Sequence, residues 1–128
     1  MPKRISRAIV AVLALALVAA LAVRAAPGVA EWAIDGGNGF LNGVLFGEDT
    51  VFADGYTAEA FRRVEAGMTR DEVHTLLGEP LATWTAERID WNRADRWSLS
   101  PGDTHYRMRT VYYAGDRVVE KIGQFYAD

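Results

Sequence analysis

The chain contains no cysteine. Disulfides, thiolate zinc sites, a cysteine nucleophile and lipid attachment at an N-terminal cysteine are therefore excluded. Histidine is nearly as scarce: only His74 and His105 occur, and no HxxxH, HxH or HExxH spacing joins either to a ligand set, so both read as solvated surface histidines. No Gly-x-Ser-x-Gly elbow surrounds Ser98 or Ser100, and no Lys-Ser or Lys-Thr follows the glycines. Acyl transfer and a phosphate-cradling loop both lack their signatures. Asp90, Asp95 and Asp103 read as charged loop residues rather than as paired catalytic carboxylates. Clustered cations are missing outside the N-terminus. Residues 1–30 carry four cations, Lys3, Arg4, Arg7 and Arg24, and no acid, so the remaining chain holds −7 of a total of −3. That balance disfavours nucleic acid, whose binding needs cations against phosphate. Neither an enzyme nor a cofactor or resident metal is expected.

What is present begins with an address. Lys3, Arg4 and Arg7 precede an unbroken apolar run from Ala8 to Val23, a charged n-region followed by an h-region. As a helix this run rises roughly 24 Å, short of the roughly 30 Å hydrocarbon core of a bilayer, although flanking arginines can snorkel. Signal peptide and uncleaved membrane anchor both fit residues 1–30, with Ala20-Leu21-Ala22 as a candidate cleavage site. In either case the cations before the run place the rest of the chain outside the cytoplasm.

Residues 31–55 read as a glycine-rich connector. Gly36, Gly37, Gly39, Gly43 and Gly47 resist regular helix. Phe40, Leu41, Val44, Leu45 and Phe46 are nonetheless too apolar for a free tether, so this stretch is expected to lie against the membrane surface or the domain.

Residues 56–128 hold the domain. Thr69 reads as an N-cap with Glu72 as its capping-box partner, Met68 and Val73 as a hydrophobic staple, and Gly78 and Pro80 as the stop. Val73, Leu76 and Leu77 share one side of that short helix. Upstream, Thr57 caps a second helix, Ala58 to Ala66, with Tyr56 and Phe61 as its staple and Gly67 as its stop. Helices this short are unstable alone, so both must bury their apolar sides against something else.

After Pro80 the apolar period becomes two. Arg96 to Ser100 alternates as a half-buried strand, and Pro101-Gly102-Asp103 turns it. Tyr106 to Tyr113 and Arg117 to Tyr126 are strands joined at Ala114-Gly115-Asp116, forming a hairpin. Leu81 to Asp95 is left as an irregular strand or a long loop. The expected fold is α+β: two short helices followed by a three-stranded antiparallel sheet that covers them, preceded by an N-terminal hydrophobic helix.

Aromatic and arginine residues crowd the strand half, a mixture enriched at protein interfaces, although roughly half of the aromatics suit a core equally well. In an alternating strand Tyr106, Met108, Thr110 and Tyr112 share one face, and Arg107, Arg109, Val111 and Tyr113 the other. The arginine face is expected to be exposed. The candidate interaction surface is Trp84, Trp91, Arg96, Trp97, Arg107, Arg109 and Tyr113, suited to an acidic partner or lipid headgroups.

The phrase Gly67-Met68-Thr69 through Leu77-Gly78-Glu79-Pro80, the helix pair, the tryptophan strand and the closing hairpin together resemble the SmpA/OmlA, or BamE-like, domain family over about residues 56 to 126. The resemblance implies an α-α-β-β-β domain on the periplasmic side of a Gram-negative envelope. It also implies a non-enzymatic protein acting by contact in outer-membrane or envelope assembly, with an envelope protein as partner. Lipidated members of that family carry a cysteine that is absent here. The same arrangement is similar to the repeated unit of β-lactamase inhibitor proteins, which implies as an alternative a module binding a secreted enzyme through its sheet. Fold alone does not choose between them. The location expected is the inner membrane's outer face, or the periplasm after release.

Overall fold

The computed structural model describes residues 6–25 and 27–127, and the side chains described exclude those of residues 22–25, 27–29 and 40. Lys3 and Arg4 of the charged n-region lie outside the described residues. Helix α1 spans Arg7–Ala25, and its side chains from Arg7 to Leu21 are exposed. Among the described residues no helix is long and apolar enough to cross a membrane.

The connector expected over residues 31–55 is largely helix. α2 spans Pro27–Phe46 and kinks at Gly36, whose φ of 79° no β-carbon-bearing residue adopts without strain. Glycine lowers helix propensity locally, but here packing outweighs that cost. Gly39 and Gly43 let the helix backbone approach the last strand, Arg117–Tyr126, so closely that a Cβ on Gly39 would lie 3.1 Å from that of Phe125. The helix also supplies Glu31 and Asp35 to the sheet, as described below.

The two capped helices form where the sequence places their starts. α3 spans Ala58–Arg63, with Thr57 Oγ1 accepting from Ala60 N at 3.2 Å. α4 spans Arg70–Leu77, and both halves of its capping box are made: Glu72 N donates to Thr69 Oγ1 at 3.1 Å and Thr69 N to Glu72 Oε2 at 3.3 Å. α3 ends earlier than Ala66. The chain leaves it extended at Val64 and runs along the sheet instead, where Gly67 and Met68 exchange backbone hydrogen bonds with Val118, both 2.8 Å.

Among the described residues six strands occur rather than three. β1 (Val51–Phe52) pairs with β4 (Ser98–Leu99). β2 (Ala82–Thr85), β3 (Arg93–Arg96), β5 (Tyr106–Ala114) and β6 (Arg117–Tyr126) form a four-stranded antiparallel sheet in the order β2-β3-β5-β6. The hairpin expected at Ala114-Gly115-Asp116 is present, with a bulge that breaks register between Tyr112 and Tyr113. The tryptophan strand expected from Arg96 to Ser100 is interrupted at Trp97. Its indole is buried and donates from Nε1 to Gly78 O at 3.0 Å, while Ser98 spends its hydroxyl on Arg107 O at 2.6 Å. β3 therefore ends at Arg96, and the chain continues beside β1.

One sheet face and the helices enclose the core: Tyr56, Phe61, Val64, Val73, Leu77, Trp97, Val111, Tyr113 and Val118, with Leu76 packed against it. Each amphipathic half thus covers the other, as their apolar patterns require. The pleat alternates as expected along β5, but the arginine side is the inner one: Arg109 is wholly buried and Arg107 nearly so. Leu77→Ala should cost about 2–5 kcal/mol, because a fully enclosed site cannot collapse around the cavity, and Leu76→Ala distinctly less. Urea unfolding of the two variants measures the difference.

Candidate interaction surface

The outward face of the sheet carries the residues opposite in parity to the core. Register aligns Trp84, Ala94, Tyr112 and Glu120 across the four strands, and Ala82, Arg96, Thr110 and Ile122 in the next row. Ala94 is small and buried, so Trp84 and Tyr112 meet edge to face above it, with ring centres 6.3 Å apart. Trp91, just before β3, packs its ring 4.8 Å from that of Tyr112. Two guanidinium groups cover the tryptophans: Arg96 Cζ lies 5.8 Å from the Trp84 ring and Arg88 Cζ 5.5 Å from the Trp91 ring. Such stacking holds aromatic and cationic surface in place without hiding it. Trp84, Trp91, Arg96 and Tyr112 are all half-buried, and Ile89 at the tip of the β2–β3 loop is fully exposed. Arg96 Nε is shielded from solvent and has no hydrogen-bond partner among the described residues.

The inner arginines do something else. Arg109 donates to Glu31 Oε2 (Nη2, 2.7 Å), Asp35 Oδ1 (Nη1, 2.8 Å), Tyr56 Oη (Nε, 2.8 Å) and Met108 O (Nη1, 2.7 Å). Arg107 donates to Glu48 Oε1 at 2.9 Å and also pairs with Asp35. Burial alone would lower the Arg109 pKa, but the Asp35 and Glu31 carboxylates hold it above the usual guanidinium value. Burial pushes the Tyr56 hydroxyl well up, reinforced by Glu31. These groups clamp α2 to the sheet and are unavailable to a partner.

A second polar hub anchors α4. Asp95 is wholly buried and accepts from Arg70 Nε and Nη2 at 2.9 and 3.0 Å and from Thr83 Oγ1 at 2.6 Å, with His74 Nε2 2.7 Å away. Burial would raise this carboxyl, but the hydrogen bonds from Arg70, Thr83 and His74 outweigh it and draw the pKa down to about 2. His74 is thus a strut between helix and sheet rather than a solvated histidine, and Asp95 a strand residue rather than a loop one. Thr83 gives its proton to Asp95 and not to His74, so the trio does not form an activated nucleophile. Among the described residues no three His, Asp or Glu side chains gather as metal ligands do.

Of the seven residues expected on one surface, Trp84, Trp91 and Arg96 come together on the outward face. Trp97, Arg109 and Tyr113 are buried in the core or beneath α2, and Arg107 is engaged by Asp35 and Glu48. Tyr112 and Arg88 join the surface instead. Tyr112 was legible from the parity of β5 once the inner face was known.

Removing Arg109 tests its structural role. Arg109→Ala should cost roughly 3–5 kcal/mol in urea unfolding, because it strands a buried carboxylate; an exposed contact residue would cost little. Asp95 gives a pH prediction. Its folded pKa lies below the ordinary 3.8, so its stabilisation is complete above about pH 4 and is lost as pH falls toward 2. The loss should amount to about 2 kcal/mol, and Asp95→Asn should flatten that limb of the stability profile.

A family model described as the outer membrane protein assembly factor BamE domain matches residues 56–123. No curated protein and no solved structure matches the chain. The matched stretch opens at Tyr56, next to the Thr57 cap, and takes in both capped helices, the Asp95 hub and the four-stranded sheet as far as Gly123. Since it covers more than half of the 128 residues, the chain belongs to the BamE domain family.

Proposed function

We propose that this protein works without catalysis in the cell envelope, as a contact partner in outer-membrane or envelope assembly, and that the outward face around Trp84, Trp91, Arg96 and Tyr112 is the surface it uses. The observation that carries this is an aromatic and arginine cluster held rigid on a sheet. Aromatic anchors flanked by arginine are the commonest hot spots of protein interfaces. The family description supports assembly as the process.

The N-terminal helix belongs to the same proposal. Ile9, Val12, Leu13, Leu15, Leu17 and Val18 are all exposed, covering every side of α1. A helix apolar all round calls for a nonaqueous neighbour. Its role is to direct the chain to the inner membrane, either remaining there or being removed on release to the periplasm.

The double variant Trp84→Ala/Trp91→Ala should leave the unfolding midpoint nearly unchanged. It should weaken recovery of barrel-assembly components from solubilised envelope by about 2 kcal/mol or more in affinity. Undiminished recovery would remove the outward face from the proposal. Capture of a single soluble enzyme in place of assembly components would favour an inhibitor module.

A further inference from the structure

The outer edge of β6 is separate from the outward face and has its own unused chemistry. In β5 the carbonyls of Arg109 and Tyr113 accept from Trp97 N and Asn92 N, so its odd-numbered residues bond toward β3 and its even-numbered ones toward β6. Through the pairs Thr110 with Ile122 and Met108 with Gln124, the even-numbered residues of β6 are used within the sheet. Lys121, Gly123 and Phe125 therefore turn their amides and carbonyls away from it. Next to them this edge is closed, since Val118 exchanges both of its outward backbone bonds with Gly67 and Met68. Past that clamp no backbone group among the described residues meets the outward groups of Lys121, Gly123 or Phe125.

An edge lysine often guards such a strand by standing in solvent. Lys121 does not, because its Nζ is drawn onto Phe61 O and Arg62 O at the end of α3, 2.9 Å from each. Beside the edge a cavity of about 300 Å³ opens between α2 and α3, lined by Ala33, Ile34, Phe61, Arg62, Lys121 and Gly123. Ile34 and Phe61 reach over Gly123 to the edge, where a Cβ would collide with Ile34 and lie 2.9 Å from the Phe61 ring.

We infer that this edge receives an extended segment of a partner protein as a fifth strand, with an apolar side chain opposite Gly123 seated in the cavity between α2 and α3. Donors and acceptors repeated at every second residue match only another β backbone. Residues directly opposite in an antiparallel pair project to the same face, so the partner residue facing Gly123 points to the side where Ile34 and Phe61 line the cavity. A second copy fits less well. Two β6 strands paired about a two-fold axis at Gly123 would set glycine against glycine and leave both cavities empty. The inference does not depend on the aromatic face, and the experiment reads different residues.

The probe is a capped heptapeptide of threonines with a central leucine, titrated into the full detergent-solubilised ¹⁵N-labelled chain. The amide signals of Lys121, Gly123 and Phe125 should shift in a saturable way. N-methylation of the peptide amides that face β6 should weaken binding at least about tenfold, while methylation of the alternate amides leaves it within about twofold. Ala33→Trp, at an exposed position, should fill the cavity and weaken binding by about tenfold with the unfolding midpoint retained. Four results would overturn the inference: no saturable shift, shifts centred on Trp84 and Trp91, equal binding by both methylated peptides, or shifts of the same amides driven by protein concentration alone, which would assign the edge to a second copy.

Discussion

A guanidinium sealed from water in the middle of a sheet has to be met by carboxylates, and Arg109 sets that requirement for the whole molecule. Its partners, Glu31 and Asp35, sit on a helix of poor intrinsic propensity. Without the pairing, one buried cation and one wholly buried carboxylate would each lack compensation, a far larger penalty than glycine imposes on α2. The kink at Gly36 follows directly after Asp35 and redirects the helix so that Gly39 and Gly43 can lie against Phe125 and Arg107. Phe61 and Tyr56 complete the enclosure, the ring of Phe61 lying 5.8 Å from Arg109 Cζ.

Asp95 plays the reciprocal part at the other end of the inner face, as a buried anion met by the Arg70 guanidinium and by polar side chains of α4 and β2. Two hubs of opposite sign therefore fasten the two helical units to the same side of one sheet. The other side is left to Trp84, Trp91, Arg96 and Tyr112, which stack on one another over Ala94. Fastening is thus confined to one face, and the stacked aromatics to the other. The same alternation of side chains that builds the core sets the composition of the surface.

Local chemistry in the sequence was enough for the elements whose causes are local. The Thr57 and Thr69 caps, the Glu72 capping box, the Gly78 stop and the β5–β6 hairpin all form at or within a few residues of their expected positions, because each depends on neighbours close in the chain. The parity of β5 was legible as well. Its sense was not. Arginines are ordinarily outside, and what reverses the rule here is a pair of acids more than seventy residues earlier in a stretch whose glycines mask its helix. His74 and Asp95 depart from the sequence expectation for the same reason: each looks solvated until the other is placed 2.7 Å away. The break at Trp97 likewise depends on Gly78, a residue distant in sequence.

The span between α2 and its arginines also dictates a timetable. Glu31 and Asp35 leave the ribosome long before Arg107 and Arg109, and residues of β6 must arrive too before the glycine side of that helix has anything to rest on. Docking of the N-proximal helix is consequently a late event in maturation, gated by loop closure over most of the domain. Until then the nascent polypeptide carries a stretch of uncommitted acids and bare apolar surface.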